Sequence, residues 1–364
     1  MIKIWVELGK NSYSICIGSE LLAQVGGWMK ERGLSGKAVI ITDSNVGPLY
    51  ADVLRQGLVG AGFDYALIEV PAGEAQKTLE SAGRLYQNLA ENFTERTSIV
   101  LALGGGVIGD LAGFVASTYM RGVPLVQVPT SLLAMVDSAV GGKTAVDHHN
   151  LKNMIGTFYQ PRMVIADVSV LKTLPEAELS NAMGEVIKYG VIRSRGFFEF
   201  LLKNMAKAMA HDVGVLETIV RENTRIKVLV VEVDEHETGP RAILNFGHTI
   251  GHALEAVTDF QVRHGEAVAI GMMSAARLSR RLGFLQARDI ELLDRLILLA
   301  GLPVNLPPLN YARQEKLLES IKHDKKVRDG KIRFVLLRNL GEAFVTDKVD
   351  VELIREVLFA DKST

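Results

Sequence analysis

The chain has a single cysteine, Cys16, in 364 residues. That excludes a disulfide framework and a thiolate-rich zinc site, so a bound metal would have to be held by histidine and carboxylate. Charge of one sign is also missing. Lys+Arg number 41 against 42 Asp+Glu, and no global field invites nucleic acid or an anionic membrane. Anion binding must therefore come from local clusters. No run approaches the roughly 18 uninterrupted apolar residues of a membrane span. The opening MIKIWVELGKNSYSICIG lacks the basic start and long apolar run of a signal peptide and alternates as a strand does. These absences predict a soluble, cytoplasmic globular protein with no nucleic-acid or membrane partner. Aromatic residues are only 6% of the chain, but apolar residues reach 48%, ample for the core of two domains or one large one.

Short β-branched runs alternate with helix-length segments in the first half. KAVIITD (37–43), DYALIEVPAGE (64–74), TSIVLALGGGVIGD (97–110), PLVQVPTS (124–131) and MVIADVSVL (163–171) predict an α/β layer with a mostly parallel sheet. From Pro175 to Ala300 the periodicity is helical almost throughout, and Pro175 suits a helix start. The expected division is 1–174, α/β, and 175–364, mainly α-helical. Near the end, KIRFVLLRNLGEAFVTDKV reads as a strand pair before a last helix, VELIREVLFAD.

Gly104-x-Gly106-x-x-Gly109 follows the strand SIVLAL and spells a dinucleotide fingerprint. Glycines there let backbone N–H groups approach a pyrophosphate at a helix N-terminus. A tight βα turn explains the same letters. The motif also sits beyond residue 100, and the acid expected about 20 residues on is missing. Upstream, Asp43 closes one strand while Glu74 and Lys77 follow the next, which favours a nucleotide. GGKT at 141–144 resembles a phosphate loop, but Asp137 stands where its first glycine belongs. Lys143 still reads as an anion ligand, with Lys152 and Asn153 following in a polar, glycine-rich stretch.

The densest chemistry lies in RAILNFGHTIGHALE (241–255) and RHGEAV (263–268). His248 and His252 are spaced i,i+4 on a helical pattern and can face one object. His264 follows, with Arg241, Asn245, Glu255 and Glu266 alongside. A catalytic zinc takes three His/Asp/Glu ligands and a water. By spacing alone, His248 and His252 are the first pair to consider; Glu185, with Lys188 one turn later, supplies a carboxylate on another helix. A core histidine is the ordinary alternative for any one of these. His148-His149 reads as a polar loop.

TDSNVGPLY, GE-x-x-K at 73–77, LGGGVIGDLAGFVASTYMRG, VPTSLLAMVDSAVGGKTAVD, LKNMIGTFYQP, GEVIKYG, NFGHTIGHALE, RHGEAVAIGM and DKKV, in this order, resemble the 3-dehydroquinate synthase family over nearly the whole chain. The resemblance implies a Rossmann-like N-terminal domain, a mainly helical metal-binding C-terminal domain and a site in the cleft between them. It implies Zn²⁺ or Co²⁺ on Glu185, His248 and His264, with His252 on the substrate instead. NAD contacts fall on Asp43, Glu74, Lys77, Gly105, Gly106, Val107, Asp110, Thr130, Ser131, Lys143, Lys152 and Thr173. Catalytic and substrate contacts fall on Asp137, Lys143, Asn153, Lys188, Lys227, Arg241, Asn245 and His252, and on Lys326 of the Lys325-Lys326 pair. One helix would then carry a metal ligand, His248, together with the anion contacts Arg241, Asn245 and His252. Arg121 matches a residue that reaches a neighbouring subunit, implying a homodimer. The implied reaction converts 3-deoxy-D-arabino-heptulosonate 7-phosphate to 3-dehydroquinate, through transient NAD-dependent oxidation, phosphate elimination, reduction, ring opening and aldol closure. Met135, Ala145 and Asp147 depart from the family's usual Gln, Gly and Asn, none at an implied ligand position. The alternatives are a sister cyclase acting on sedoheptulose 7-phosphate, a metal-dependent polyol or glycerol-phosphate dehydrogenase, and a catalytically silent NAD- or zinc-binding module.

Overall fold

The structure, a computed structural model, describes residues 1–149, 151–235, 239–322 and 333–359. Two compact units emerge. The first is Met1–Leu174 with Leu216–His236, the second Pro175–Val215 with Glu237–Thr364. A single cut after residue 174 misses the return of the segment from Leu216 to the first unit, because that stretch is one continuous helical pattern with no break to mark the change.

The first unit is built on β1 (Ile2–Val6), β2 (Tyr13–Gly18), α1 (Val25–Glu31), β3 (Ala38–Asp43), α2 (Gly47–Gly60), β4 (Tyr65–Val70), α3 (Leu79–Glu91), β5 (Ile99–Gly104), α4 (Gly106–Thr118), β6 (Leu125–Pro129), β7 (Lys143–His148), β8 (Leu151–Phe158) and β9 (Met163–Asp167). Seven strands form one sheet in the order β1-β2-β9-β6-β5-β3-β4. Only the β1–β2 pair is antiparallel. Every residue of β5, β6 and β9 is buried, as central strands covered on both faces require. β4 alternates exposed and buried positions at the sheet edge.

The polar stretch around His148-His149, for which the sequence suggested no strand, belongs to an antiparallel hairpin of β7 and β8. Gly141 and Gly142, at φ 97° and 67°, turn the chain into it. Gly156 lets β8 lie against β7, since a Cβ there would overlap the Thr144 carbonyl and approach the Ala145 Cβ position. The alternation signal is weak because β8 is exposed along most of its length.

The second unit contains α5 (Glu176–Arg193), α6 (Arg195–Met209), the start of α7 (Val213–Val233), α8 (His248–Val257), α9 (His264–Arg281), α10 (Ala287–Leu299), α11 (Tyr311–Lys322), the antiparallel pair β10 (Phe334–Asn339) and β11 (Glu342–Thr346), and α12 (Val351–Phe359). α5 is buried from Ala182 to Ile192, and α9 almost all round from Gly265 to Ser279, so these are interior helices. Among the described residues no helix is long and apolar enough to cross a membrane.

α5, α8 and α9 touch through glycines. A Cβ on Gly184 would stand 2.6 Å from the Gly265 carbonyl oxygen, and one on Gly251 would stand 3.0 Å from that of Ala267. On Gly265 it would overlap the Asn181 carbonyl, and on Gly271 that of Gly247. Gly271→Ala should therefore destabilise the protein by about 2–3 kcal/mol, the scale of overpacking, in urea unfolding. Gly27→Ala in α1, where nothing lies within 4 Å of the added methyl, should stabilise by about 0.5–1 kcal/mol as an exposed helical glycine does.

Candidate functional site

Glu185 lies mid-way along α5, only 1% exposed. α8 begins at His248 and α9 at His264, and the glycine contacts bring both helix starts to it. His248 Nε2 stands 3.2 Å and His264 Nε2 3.4 Å from Glu185 Oε1. Lys188 Nζ, one turn along α5, pairs with Glu185 Oε2. Despite this crowding, neither carboxylate oxygen completes an aligned hydrogen bond. A tetrahedral ion with bonds of about 2.0–2.1 Å holds its ligand atoms roughly 3.3–3.4 Å apart. The observed spacings match that edge, and a buried carboxylate facing two imidazole nitrogens is a zinc- or cobalt-type donor set. The residues fit a divalent metal.

The protonation states of Glu185 and His248 agree with this. Burial opposes ionisation of Glu185, but the Lys188 ammonium and His248 hold its carboxyl well below the usual range. Burial, then Lys188, pushes His248 down toward the neutral ring. His248 Nδ1 faces the Phe246 carbonyl at 3.2 Å; as donor there, it leaves the Nε2 lone pair for the metal. Burial also disfavours the charged ring of His264, yet its contacts with the Glu185 and Glu255 carboxylates outweigh it and raise the pKa to about 10.

His252 is exposed, and His248 and His252 share neither of the two histidine–carboxylate clusters found, Glu185/His248/His264 and His252/Glu255/His264. The i,i+4 spacing is real, but the two rings meet edge to face at 88°, with centroids 5.1 Å apart. Arg241 and Asn245 are not on the helix of His248, contrary to the one-helix expectation. They occupy a separate 3-10 turn, Pro240–Asn245. Gly247, at φ 80° in the left-handed region, breaks the path before α8. Arg241 is buried and Asn245 half-buried.

In the first unit, the glycine motif resolves its own misfit. β5 lies beside β3 in parallel, with Ile41 opposite Ala102, so the loop after β5 and Asp43 at the end of β3 are neighbours. The chain runs from β3 to β4 on one side and then to β5 on the other, a reversal of strand order of the kind at which open α/β sheets bind ligands. The acid sits in the adjacent strand rather than downstream. Gly105 precedes α4 without a side-chain cap, and an added Cβ would come within 3.5 Å of Ser131 Oγ. Thr130 N–H donates to the Gly104 carbonyl at 2.9 Å, closing the β5 and β6 ends together. Val107 is half-buried in the first turn of α4. Glu74 is exposed at the start of a 3-10 turn. Thr173 Oγ1 meets the Tyr50 hydroxyl of α2 at 2.5 Å.

Lys77 is buried between two assigned groups. Its Nζ donates to Asp110 Oδ2 and to Asn153 Oδ1, each at 2.5 Å. Asn153 has φ 56°, and its N–H donates to Asp147 Oδ1 at 2.8 Å. Lys227 Nζ, also buried, donates to Asp137 Oδ1 at 2.5 Å and to the Asp137 carbonyl at 2.6 Å. Lys143 and Lys152 are exposed on the hairpin, and Arg121 is exposed with φ 68°. Lys326 lies outside the described residues. The described assigned residues are divided between the units: Asp43 to Thr173 and Lys227 in the first, Glu185, Lys188 and Arg241 to His264 in the second.

Sequence reasoning missed two contributors. Asn181 Oδ1 accepts the Gly265 N–H at 2.7 Å and pins the start of α9 beside Glu185; its partner is too distant in sequence to leave a signal. Asp147 was noted only as a departure from the family pattern.

A family model described as 3-dehydroquinate synthase N-terminal matches residues 67–181, and one described as 3-dehydroquinate synthase C-terminal matches residues 182–327. The 3-dehydroquinate synthase of Desulforamulus reducens is 50% identical over 359 residues, 98% of this chain and 97% of the relative. A solved 2-deoxy-scyllo-inosose synthase, complexed with carbaglucose-6-phosphate, NAD⁺ and Co²⁺, is similar at TM-score 0.88 and 26% identity, covering 98% of this chain and 99% of that one. The 2-epi-5-epi-valiolone synthase of Streptomyces hygroscopicus subspecies jinggangensis, with NAD⁺ and Zn²⁺ bound, gives TM-score 0.87 at 26% identity, with 98% of both chains covered.

Burial raises the Asp110 carboxyl to about 6, against the opposing pull of Lys77. A raised native pKa means that this group's stabilising effect is complete below its ordinary value near 3.8 and is lost as pH rises through about 6. The unfolding free energy of wild type minus that of Asp110→Asn, from urea titrations, should fall between about pH 4 and about pH 6 and then level off. A difference that climbs across this window contradicts the assignment.

Proposed function

The chain belongs to the 3-dehydroquinate synthase family, and from that premise we propose how its residues divide the work. It converts 3-deoxy-D-arabino-heptulosonate 7-phosphate to 3-dehydroquinate and phosphate. The convergence of Glu185, His248 and His264 beside Lys188 carries the assignment of the reacting centre.

When bound, NAD would supply a reversible hydride acceptor for the transient oxidation, and the divalent metal would supply Lewis-acid polarisation of the reacting hydroxyl. Asp43, Glu74, Lys77, the Gly105–Asp110 segment, Thr130, Ser131, Lys152 and Thr173 hold the dinucleotide. Glu185, His248 and His264 hold the metal. Lys188 Nζ, paired with Glu185, relays the proton of the C5 hydroxyl. Arg241, Asn245, His252, Lys143, Asn153 and Lys326 hold the substrate's carboxylate and phosphate, a task for fixed cations and amide donors. Lys227 is ordered by Asp137 and adds a further cation. Phosphate leaves by taking the C6 proton itself, so these residues need only orient it. Ring opening and aldol closure complete the product with no net redox change. We place the enzyme in the cytoplasm as a homodimer, with Arg121 reaching the second copy.

The sister cyclases share the fold at 26% identity, whereas a relative named for the dehydroquinate reaction is 50% identical. A cyclase of sedoheptulose 7-phosphate would leave Arg241 without a carboxylate to pair.

With the heptulosonate and substoichiometric NAD⁺, phosphate release should exceed the NAD⁺ present many times over, without accumulation of NADH, and should cease with chelator. Turnover of sedoheptulose 7-phosphate alone would select the sister activity; one NADH per substrate would select a dehydrogenase. His264→Ala should lose metal, measured by competition with a chromogenic chelator. His252→Ala should keep metal and raise KM at least tenfold, the scale of one lost charged contact at about 1.4 kcal/mol per decade. The reverse pattern would make His248 and His252 the metal pair.

A further inference from the structure

Glu255 stands in the histidine-rich motif with no part in the steps above. It lies on α8 two turns after His248, and its side chain is 8% exposed. A buried carboxylate is costly unless a partner compensates it. His264 Nδ1 faces Glu255 Oε1 at 3.4 Å, while Nε2 of the same ring faces Glu185 Oε1 at 3.4 Å. The two ring nitrogens are therefore spoken for by different carboxylates, one from α5 and one from α8. His248 has the same layout with a weaker outer partner, the neutral Phe246 carbonyl, at 3.2 Å from Nδ1.

We propose that Glu255 is a positioning residue for the metal centre, accepting the Nδ1 proton of His264 and so fixing its tautomer, its ring orientation and its strength as a ligand through Nε2. A carboxylate behind a ligating histidine raises the basicity of the ring and locks its rotation. The asymmetry follows from position. His248 is held by the backbone just before its own helix. His264 is the first residue of α9 and takes its orientation from α8 across the helix contact. The competing arrangement makes Glu255 a direct ligand, in the cluster His252/Glu255/His264. It would require His264 to give up both ring protons if the first centre were also filled, and it would rely on the exposed His252.

This inference rests on Glu185, His248 and His264 being the metal ligands, so three proteins are compared: wild type, His264→Ala and Glu255→Gln. Glu255→Gln keeps the shape of the side chain and removes its charge. It should weaken Zn²⁺ binding by about 10–100-fold in chelator competition. It should also shift the visible absorption of the Co²⁺-loaded protein. A merely structural role would leave the cobalt spectrum unmoved, which overturns the proposal. So does unchanged Zn²⁺ affinity in Glu255→Gln while His264→Ala loses metal. Two Zn²⁺ per wild-type chain would make Glu255 a ligand and overturn it as well. Wild-type affinity in His264→Ala would instead sink the metal assignment itself. Should the amide variant fold poorly, Glu255→Asp, which draws the carboxylate back by one methylene, should give the same cobalt shift with a smaller loss of affinity.

Discussion

The contact of three helix backbones without side chains between them is the constraint on which the proposed metal centre depends. Gly184 of α5 and Gly265 of α9 meet at one crossing, and Gly247 and Gly251 at the start of α8 meet the α9 residues Ala267, Val268 and Gly271 at another. Ordinary helix pairs stand about 8–10 Å apart, with side chains filling the gap. Here the gap is closed. Glu185 follows Gly184, His248 follows Gly247 and His264 precedes Gly265, so every proposed ligand is the chain neighbour of a glycine at a crossing. The ligand spacing is thus set by backbone packing, which is stiffer than any side-chain arrangement. A methyl group at a crossing acts on the metal by moving a helix.

That rigidity is needed because the centre gathers charge out of water. Glu185 and Lys188 are buried together, a pairing whose desolvation cost is recovered only when the geometry holds. Burial keeps His248 neutral, and the carboxylates keep the His264 ring basic. Two histidines with different electronic character therefore face one carboxylate. The first unit uses the same device in milder form. Lys77 ties Asp110, at the glycine loop, to Asn153 on the hairpin, so a group assigned to the nucleotide and one assigned to the substrate share a single ammonium. Asp147 maintains this link by accepting the Asn153 N–H and holding its left-handed backbone. An aspartate there supplies a charged acceptor where the family more often has an amide.

What could be read from the letters follows a physical division. The central strands were legible because burial on both faces produces unbroken β-branched runs, as in AVIITD and IVLALG. The hairpin at 143–158 was not, since β8 is solvent-facing along most of its length and its pairing rests on Gly156 rather than on apolar alternation. In the metal region, spacing along one helix favoured His248 with His252. The actual convergence on Glu185 comes from contacts between helices, and no periodicity in a single segment encodes them. Family resemblance, which carries three-dimensional information implicitly, named Glu185, His248 and His264. The glycine loop was a case between these extremes. Its missing downstream acid looked like a defect until the strand order put Asp43 of β3 beside the end of β5.

The segment from Leu216 to His236 shows why a linear domain boundary understates the design. α7 begins in one unit and continues as part of the other, and within the first unit it delivers Lys227 to Asp137. The lysine's two short bonds, one to the carboxylate and one to the backbone carbonyl of the same residue, fix both the side chain and the local chain of the π-helical turn Ala134–Ser138. π-helical turns of this kind are strained and recur at functional sites. The ammonium clamped on the turn adds a second donor to the Asp137 carbonyl, which also accepts the Val140 N–H at 3.0 Å.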